Sequence, residues 1–261
     1  MSAVEAVRIE TETGKWVRAT IDRPEAMNAI DDRVVAGLET AVDRAEAERA
    51  RVLVLRGAGG TFCAGADLAY VLTIADDRAA LGSYVQRLAT VLDRFEAAPF
   101  ATLCVIEGYA LAGGCEILLA CDVVVAVADA KIGDRHLEYG LLPGAGGSVR
   151  LPRALPSARA RWLLMSGEMI SGAQAAEWGL ITQAVGPTEL DATVEAHVTR
   201  LASRSRHALA TVKRMAVGLR DVPFDAAIRT ERELFLDHFL ENPDGREGLA
   251  AFGERRKPRF D

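Results

Sequence analysis

Hydrophobic and polar positions along the chain follow two rhythms. Residues 16–21 and the run RVLVLR at 51–56 have the short, alternating or fully apolar character of strands. Between them, residues 30–50 set Val34, Val35, Leu38, Val42 and Ala45 on one face of a helix. The order repeats. Val85, Leu88, Val91, Leu92 and Phe95 mark a second helix, residues 103–106 a strand, 115–120 a short helix and 123–127 another strand. Strands alternating with helices predict an α/β architecture. From Pro156 onward the spacing is helical almost throughout, with Ser171 three residues before Gln174 as a capping pair and Phe235 and Phe239 one turn apart.

Composition narrows the function classes. A chain of 261 residues that is 50% hydrophobic and 26% charged, with 23 glycines and 9 prolines, is expected to fold as one large domain. The longest apolar stretch, 117–128, is interrupted by Asp122 and falls short of the roughly 20 residues that cross a bilayer. The first ten residues mix Glu5, Arg8 and Glu10 with small apolar side chains and lack the core of a secretory signal, so a cytoplasmic location is expected. A formal charge of −6 disfavours nucleic acid and anionic membranes as partners, and any anionic ligand must be met by local positive groups.

Cys63, Cys104, Cys115 and Cys121 lie in hydrophobic contexts without CxxC or zinc-ligand spacing, and read as reduced core residues. The four histidines are scattered, so no metal is expected. Neither 57–61 nor 144–148 has dinucleotide-fold GxGxxG spacing, and phosphate-loop, GxSxG and HExxH motifs are all missing. Two glycine-rich segments remain, GAGGTFCAGADL at 57–68 and EGYALAGGCE at 107–116, each directly after a strand. Glycine lets backbone approach a ligand closely, and free amides at a helix start donate to a negative oxygen. Brought together, the two segments would form a backbone oxyanion hole; kept apart, they are ordinary tight turns.

Four blocks in order, FCAGADL at 62–68, EGYALAGGCEILLACDVVVA at 107–126, LPGAGGSVRLPR at 142–153 and SGAQAAEWGLI at 171–181, resemble the crotonase superfamily of enoyl-CoA hydratases and isomerases. DRPEAMNAI at 22–30 and EGLAAFGERRKPRF at 247–260 are similar to that family's two ends. The resemblance implies a spiral of strand-strand-helix turns over 1–195 and a C-terminal helical region over 196–261 that builds a homotrimer or a dimer of trimers. It also implies an acyl-CoA thioester as ligand, with coenzyme A arriving as part of the substrate and no separate cofactor.

By the same resemblance the amides of Ala66 and Gly113 would hold the thioester oxygen, and Glu116 would be the first of two catalytic glutamates. Backbone around Ala64, Asp67 and Leu68 would receive the adenine, with Arg23 and Lys257 as charges for the phosphates. Glu25 stands where many relatives carry lysine. The main departure is the second glutamate, whose place in KIGDRHLEYGLLPGAGG is taken by His136, a residue that can still act as acid or base near neutral pH. Glu138 is the alternative carboxylate, with Asp134 and Tyr139 as weaker candidates. In a helical turn residues 136 and 138 point to different sides and in a strand to the same side, so local conformation decides between them.

Hydration of a 2-enoyl-CoA is the first reading. Double-bond isomerisation follows, then decarboxylation, thioester hydrolysis or carbon–carbon cleavage, and a non-catalytic acyl-CoA binding protein is the rival of a different class. Restoring glutamate at position 136 is expected to raise a hydratase rate if the site handles enoyl thioesters, whereas a fall would point to a specialised reaction that needs imidazole. Trp162, Trp178 and Phe252 read as core or interface residues, residues 68–81 as a pocket-wall helix, and Arg255, Arg256 and Lys257 as a solvated basic run.

Overall fold

The structure, a computed structural model, describes residues 5–260. Its strands are β1 (Val7–Glu12), β2 (Trp16–Ile21), β3 (Val52–Gly57), β4 (Ala101–Ile106), β5 (Tyr109–Leu111), β6 (Val123–Val127), β7 (Lys131–Gly133), β8 (Ile170–Ser171) and β9 (Gln183–Val185). Helices α1 (Asp32–Ala47), α2 (Leu68–Ile74), α3 (Arg78–Ala97), α4 (Gly113–Leu119), α5 (Gly147–Ala154), α6 (Ser157–Ser166) and α7 (Gly172–Glu177) are threaded among them. The chain ends in α8 (Leu190–Ala202), α9 (Arg206–Gly218), α10 (Phe224–Glu241) and α11 (Pro243–Gly253).

Six strands form the main sheet in the order β1-β2-β3-β4-β6-β9, parallel except for the β1/β2 pair. Its central strands are apolar on both faces because both faces are covered, as parallel sheets require. Leu53, Leu55, Cys104 and Ile106 belong to the core beneath α1 and α3. Val52, Val54, Leu103 and Val105 point the other way and are covered by Leu190, Val194 and Val198 of α8. The boundary expected between residues 195 and 196 therefore falls inside α8, a helix that packs on the sheet.

A second layer, β5-β7-β8, lies along the C-terminal ends of these strands and is extended by a bridge between Cys63 and Ala110. Each circuit of the chain adds one long strand, one short pairing and a helix: β3, Cys63 and α2; β4, β5 and α4; β6, β7 and α5. This is the strand-strand-helix spiral that the resemblance implied.

Several elements differ from the sequence reading. The expected helix over 68–81 is two helices, because the Asp77 carboxylate accepts from the amides of Ala79 and Ala80 and starts α3 anew. β1 is an edge strand whose outward positions are largely exposed, and β8 and β9, of two and three residues, interrupt the region read as helical. Ser171 caps α7 as expected, its Oγ accepting from the Gln174 amide at 3.1 Å.

The C-terminal helices are tied to the core by polar links. The Lys213 ammonium on α9 is buried and donates to the carbonyls of Phe95 and Phe100 and to Asp122 at 2.6 Å. Lys213→Ala is expected to destabilise the chain by about 2 kcal/mol in denaturant melts, less than for a fully enclosed pair because Asp122 keeps some solvent. A melt superimposable on that of the wild type would show that this link adds nothing to stability. Beyond α9 the packing thins: α10 has no buried residue, and Phe224, Phe235, Leu236, Leu240 and Phe252 are all exposed. Trp162 is exposed as well, while Trp178 is half-buried with the Arg159 guanidinium 4.6 Å from its ring centre, so none of Trp162, Trp178 and Phe252 lies fully within the core.

Candidate active site

The segment that follows β3 is held from both sides. Asn28, fully buried, accepts from the Arg23 amide and donates to the carbonyls of Ala58 and Thr61, which fixes the glycine-rich loop. Further on, the Ile30 amide donates to the Gly65 carbonyl and the Asp67 amide to the Ile30 carbonyl. In such a parallel bridge the partners of Ile30 are the residues flanking Ala66, so the amide of Ala66 itself points away from Ile30. On the opposite side Cys63 pairs with Ala110 through the backbone of Tyr109 and Leu111. Ala66 is thereby carried to the turn that opens α4.

Small residues make the approach possible. A Cβ on Gly65 would sit 2.9 Å from Ala112 Cβ and 3.5 Å from Gly113 N; on Gly114 it would sit 2.4 Å from the Cys63 carbonyl oxygen. Between them Ala112 adopts φ 47°, a left-handed conformation unusual for alanine, while its amide is held by the Gly133 carbonyl. Among the described residues neither the Ala66 nor the Gly113 amide has a protein acceptor. A Cβ on Gly113 would lie 3.6 Å from Ala66 N, which places the two unused donors side by side.

Glu116 occupies the first turn of α4 and is 2% exposed. Its Oε1 accepts from the amides of Ala145 and Gly147, both at 2.8 Å. Burial pushes the carboxyl above the usual glutamate range; these two amides and the His136 charge work against that, and Asp134 reinforces it. The other oxygen, Oε2, faces His136 Nε2 at 3.9 Å.

His136 begins a 3₁₀ turn, His136–Tyr139, and its Nδ1 lies 2.9 Å from Oδ1 of buried Asp134. Burial alone would lower the imidazole pKa, but the hydrogen bond and charge of Asp134, with the charge of Glu116, outweigh it and raise it above the ordinary value. The same turn directs Glu138 outward, where it is exposed and paired with Arg135. Tyr139 is also exposed. The helical turn thus brings Glu116, His136 and Asp134 together and leaves Glu138 outside. Asp134 and the amide donors Ala145 and Gly147 carry more of the site than sequence spacing suggested; the only signal for the latter was the GAGG run at 144–147.

The expected phosphate side needs a correction. The Arg23 guanidinium is buried, donates to the Ala29 carbonyl and to Asp67 at 2.8 Å, and lies 3.3 Å from Asp31. Asp67 pairs with it directly and Asp31 is shared with Arg33, so the guanidinium is held inside the protein and is not presented at the surface as the expected phosphate contact. Asp67 caps α2 by accepting from the Tyr70 amide, so this pair ties the segment that carries Ala66 to the start of α2. Ala64 is half-buried, Leu68 and Glu25 are exposed, and Lys257 is exposed in the tail after α11.

The model of the enoyl-CoA hydratase/isomerase family matches residues 14–261. The chain belongs to that family. Among relatives, the mitochondrial enoyl-CoA hydratase domain-containing protein 2 of Bos taurus is 37% identical over 249 residues, covering 92% of this chain and 82% of that protein. The (E)-benzylidenesuccinyl-CoA hydratase of Thauera aromatica is 35% identical over 243 residues, covering 92% and 93%. The crystal structure of an enoyl-CoA hydratase from Polaromonas sp. JS666 superposes with a TM-score of 0.92 at 28% identity, covering 98% of this chain and 99% of that one. The protein is thus an enzyme of the enoyl-CoA hydratase/isomerase family with the fold of its solved members.

Proposed function

We propose that the protein adds water to a 2-enoyl-CoA thioester. The observation that carries this reading is the pair of unused amides, Ala66 and Gly113, beside a buried carboxylate that faces an imidazole. The thioester carbonyl accepts from both amides, which are fixed before the reaction and stabilise the enolate oxygen as charge develops. A water oxygen about 2.8 Å from both Glu116 Oε2 and His136 Nε2 closes a triangle over their 3.9 Å separation. Glu116 takes a proton from this water, the hydroxyl adds to C3, and the electrons move through C2 to the thioester oxygen. The His136 imidazolium then protonates C2, and the proton on Glu116 returns across the gap to His136. The cycle needs no cofactor beyond the coenzyme A of the substrate.

Following the conjugated-thioester absorbance with crotonyl-CoA and longer 2-enoyl and 3-enoyl thioesters tests this. Loss of signal from 2-enoyl substrates supports hydration, whereas gain from 3-enoyl substrates alone replaces it with isomerisation. Binding without change leaves an acyl-CoA carrier. Isomerisation is the second reading because Glu116 is the one carboxylate that faces the imidazole from α4, and one base suffices to move a proton between carbons.

Restoring a glutamate now carries the opposite expectation from the one sequence alone suggested. His136→Glu would set a third carboxylate beside Asp134 and Glu116, and is expected to lower turnover at least about tenfold. Adding Asp134→Asn should recover part of that loss, because the two sites are in contact and their effects couple. A faster single variant would show that Asp134 does not control the charge at this position.

The exposed apolar side chains of α10 and α11 support assembly into a homotrimer or a dimer of trimers, which light scattering on the purified chain would measure. Four unpaired cysteines, with the Cys63 thiol pushed up to about 12 by burial, suit a reducing compartment such as the cytoplasm. Among the described residues no helix is long and apolar enough to cross a membrane.

A further inference from the structure

We infer that Asp134 is a positioning residue that holds His136 with its proton on Nδ1, so that Nε2 is the nitrogen presented to Glu116 and the reacting atoms. Geometry supports this in three ways. Asp134 Oδ1 lies 2.9 Å from His136 Nδ1, and 3.3 Å from the His136 backbone amide, so backbone and ring are gripped by one oxygen. An ionised carboxylate only accepts hydrogen bonds, and a ring nitrogen facing it must therefore donate. Asp134 is also confined, being 1% exposed, and a Cβ on Gly147 would come within 3.1 Å of its Oδ2. The carboxylate has little room to turn away from the ring.

The tautomer has a chemical consequence. With Nδ1 committed to Asp134, Nε2 is bare in the neutral ring and carries the transferable proton in the imidazolium, at 3.9 Å from Glu116 Oε2. The reverse tautomer would leave no basic nitrogen toward Glu116.

Other charges near the turn are engaged elsewhere or exposed to solvent. Arg135 pairs with Glu138 and reaches the Gly167 carbonyl; from α6, Arg159 lies over Trp178 and Arg161 is exposed. From α5, Arg150 is held by Asp93 and Glu96 and Arg153 by Asp221. Asp134 and Glu116 are left as the groups whose charge acts on the imidazole.

Nitrogen-15 NMR of the histidine-labelled protein tests the inference, with His136→Gln identifying the signal among the four histidines. In the wild type the neutral ring of His136 is expected to show a protonated Nδ1 and a bare Nε2. In Asp134→Asn and Asp134→Ala the protonated-Nε2 form should grow. The imidazolium, having lost a negative partner, should also give up its proton about one pH unit lower. The basic limb of the kcat/KM profile should move down with it, and kcat should fall roughly tenfold to a hundredfold with KM nearly unchanged.

A wild-type ring protonated on Nε2 would overturn the inference, and that measurement needs no variant to fold. So would Asp134 variants that melt earlier yet keep the wild-type tautomer and basic limb, since a purely structural brace predicts that pattern. The kinetic arm rests on the proposed hydratase reading and the NMR arm does not. Should no thioester be turned over while the tautomer follows Asp134, the hydratase reading fails and the assignment of Asp134 stands.

Discussion

Glu116→Gln is expected to lower kcat for 2-enoyl-CoA hydration by about 10³-fold while leaving thioester affinity within about tenfold. On the proposed mechanism, the size follows from removing the group that exchanges the proton in a transition state flanked by the Ala66 and Gly113 amides. The selectivity follows from the hydrogen bonds. A glutamine oxygen can still accept from the Ala145 and Gly147 amides at 2.8 Å, so the loop at 144–147 keeps its anchor and the pocket its shape. Its amide nitrogen, turned toward His136, cannot serve as a base. Steady-state kinetics, titration with a non-reacting CoA thioester and a thermal melt read the three quantities separately. Full activity in a folded variant would remove Glu116 from proton transfer. Because burial raises the Glu116 pKa, the wild-type rate should also fall on the acid side at a higher pH than for an ordinary glutamate, as the base becomes protonated.

Gly113→Pro is expected to cost on the order of 10² to 10³ in kcat with the fold retained. Position 113 is the first residue of α4, where proline is well accommodated, and its amide serves no protein acceptor among the described residues. Proline therefore removes the donor and also sets a ring carbon where the thioester oxygen would bind, and both effects lower turnover. A Cβ at this position would approach Ile30 Cδ1 at 3.0 Å, and the end of that flexible side chain can yield. Gly114→Ala serves as a contrast, since its Cβ would meet the rigid Cys63 carbonyl at 2.4 Å and lower the melting temperature instead. Wild-type turnover in a folded Gly113→Pro variant would exclude this amide from the mechanism.

Much of the architecture is legible in the order of residues. The runs at 51–56 and 123–127 are largely buried on both faces and so are mostly apolar, and the five helical positions from Val34 to Ala45 all lie in the core. Short pairings are not legible, because β5, β7, β8 and β9 have only two or three residues each and show no period. Their role is nonetheless decisive: with the bridges at Cys63 and Ala66 they bring segments remote along the chain into register.

At the site, local pattern and long-range contact divide in the same way. The glycines at 65, 113 and 114 and Glu116 in a helix start are visible along the chain, and His136 in the place of a glutamate is visible through the family resemblance. Whether two amides converge, which of His136 and Glu138 turns inward, that Arg23 is held inside by Asp31 and Asp67, and that Asp134 grips the imidazole depend on distances between residues remote in sequence or on one turn's backbone angles. Residue type and spacing determine which groups are available; only the folded backbone sets their directions, and hydrogen bonding and charge at these sites depend on direction and separation.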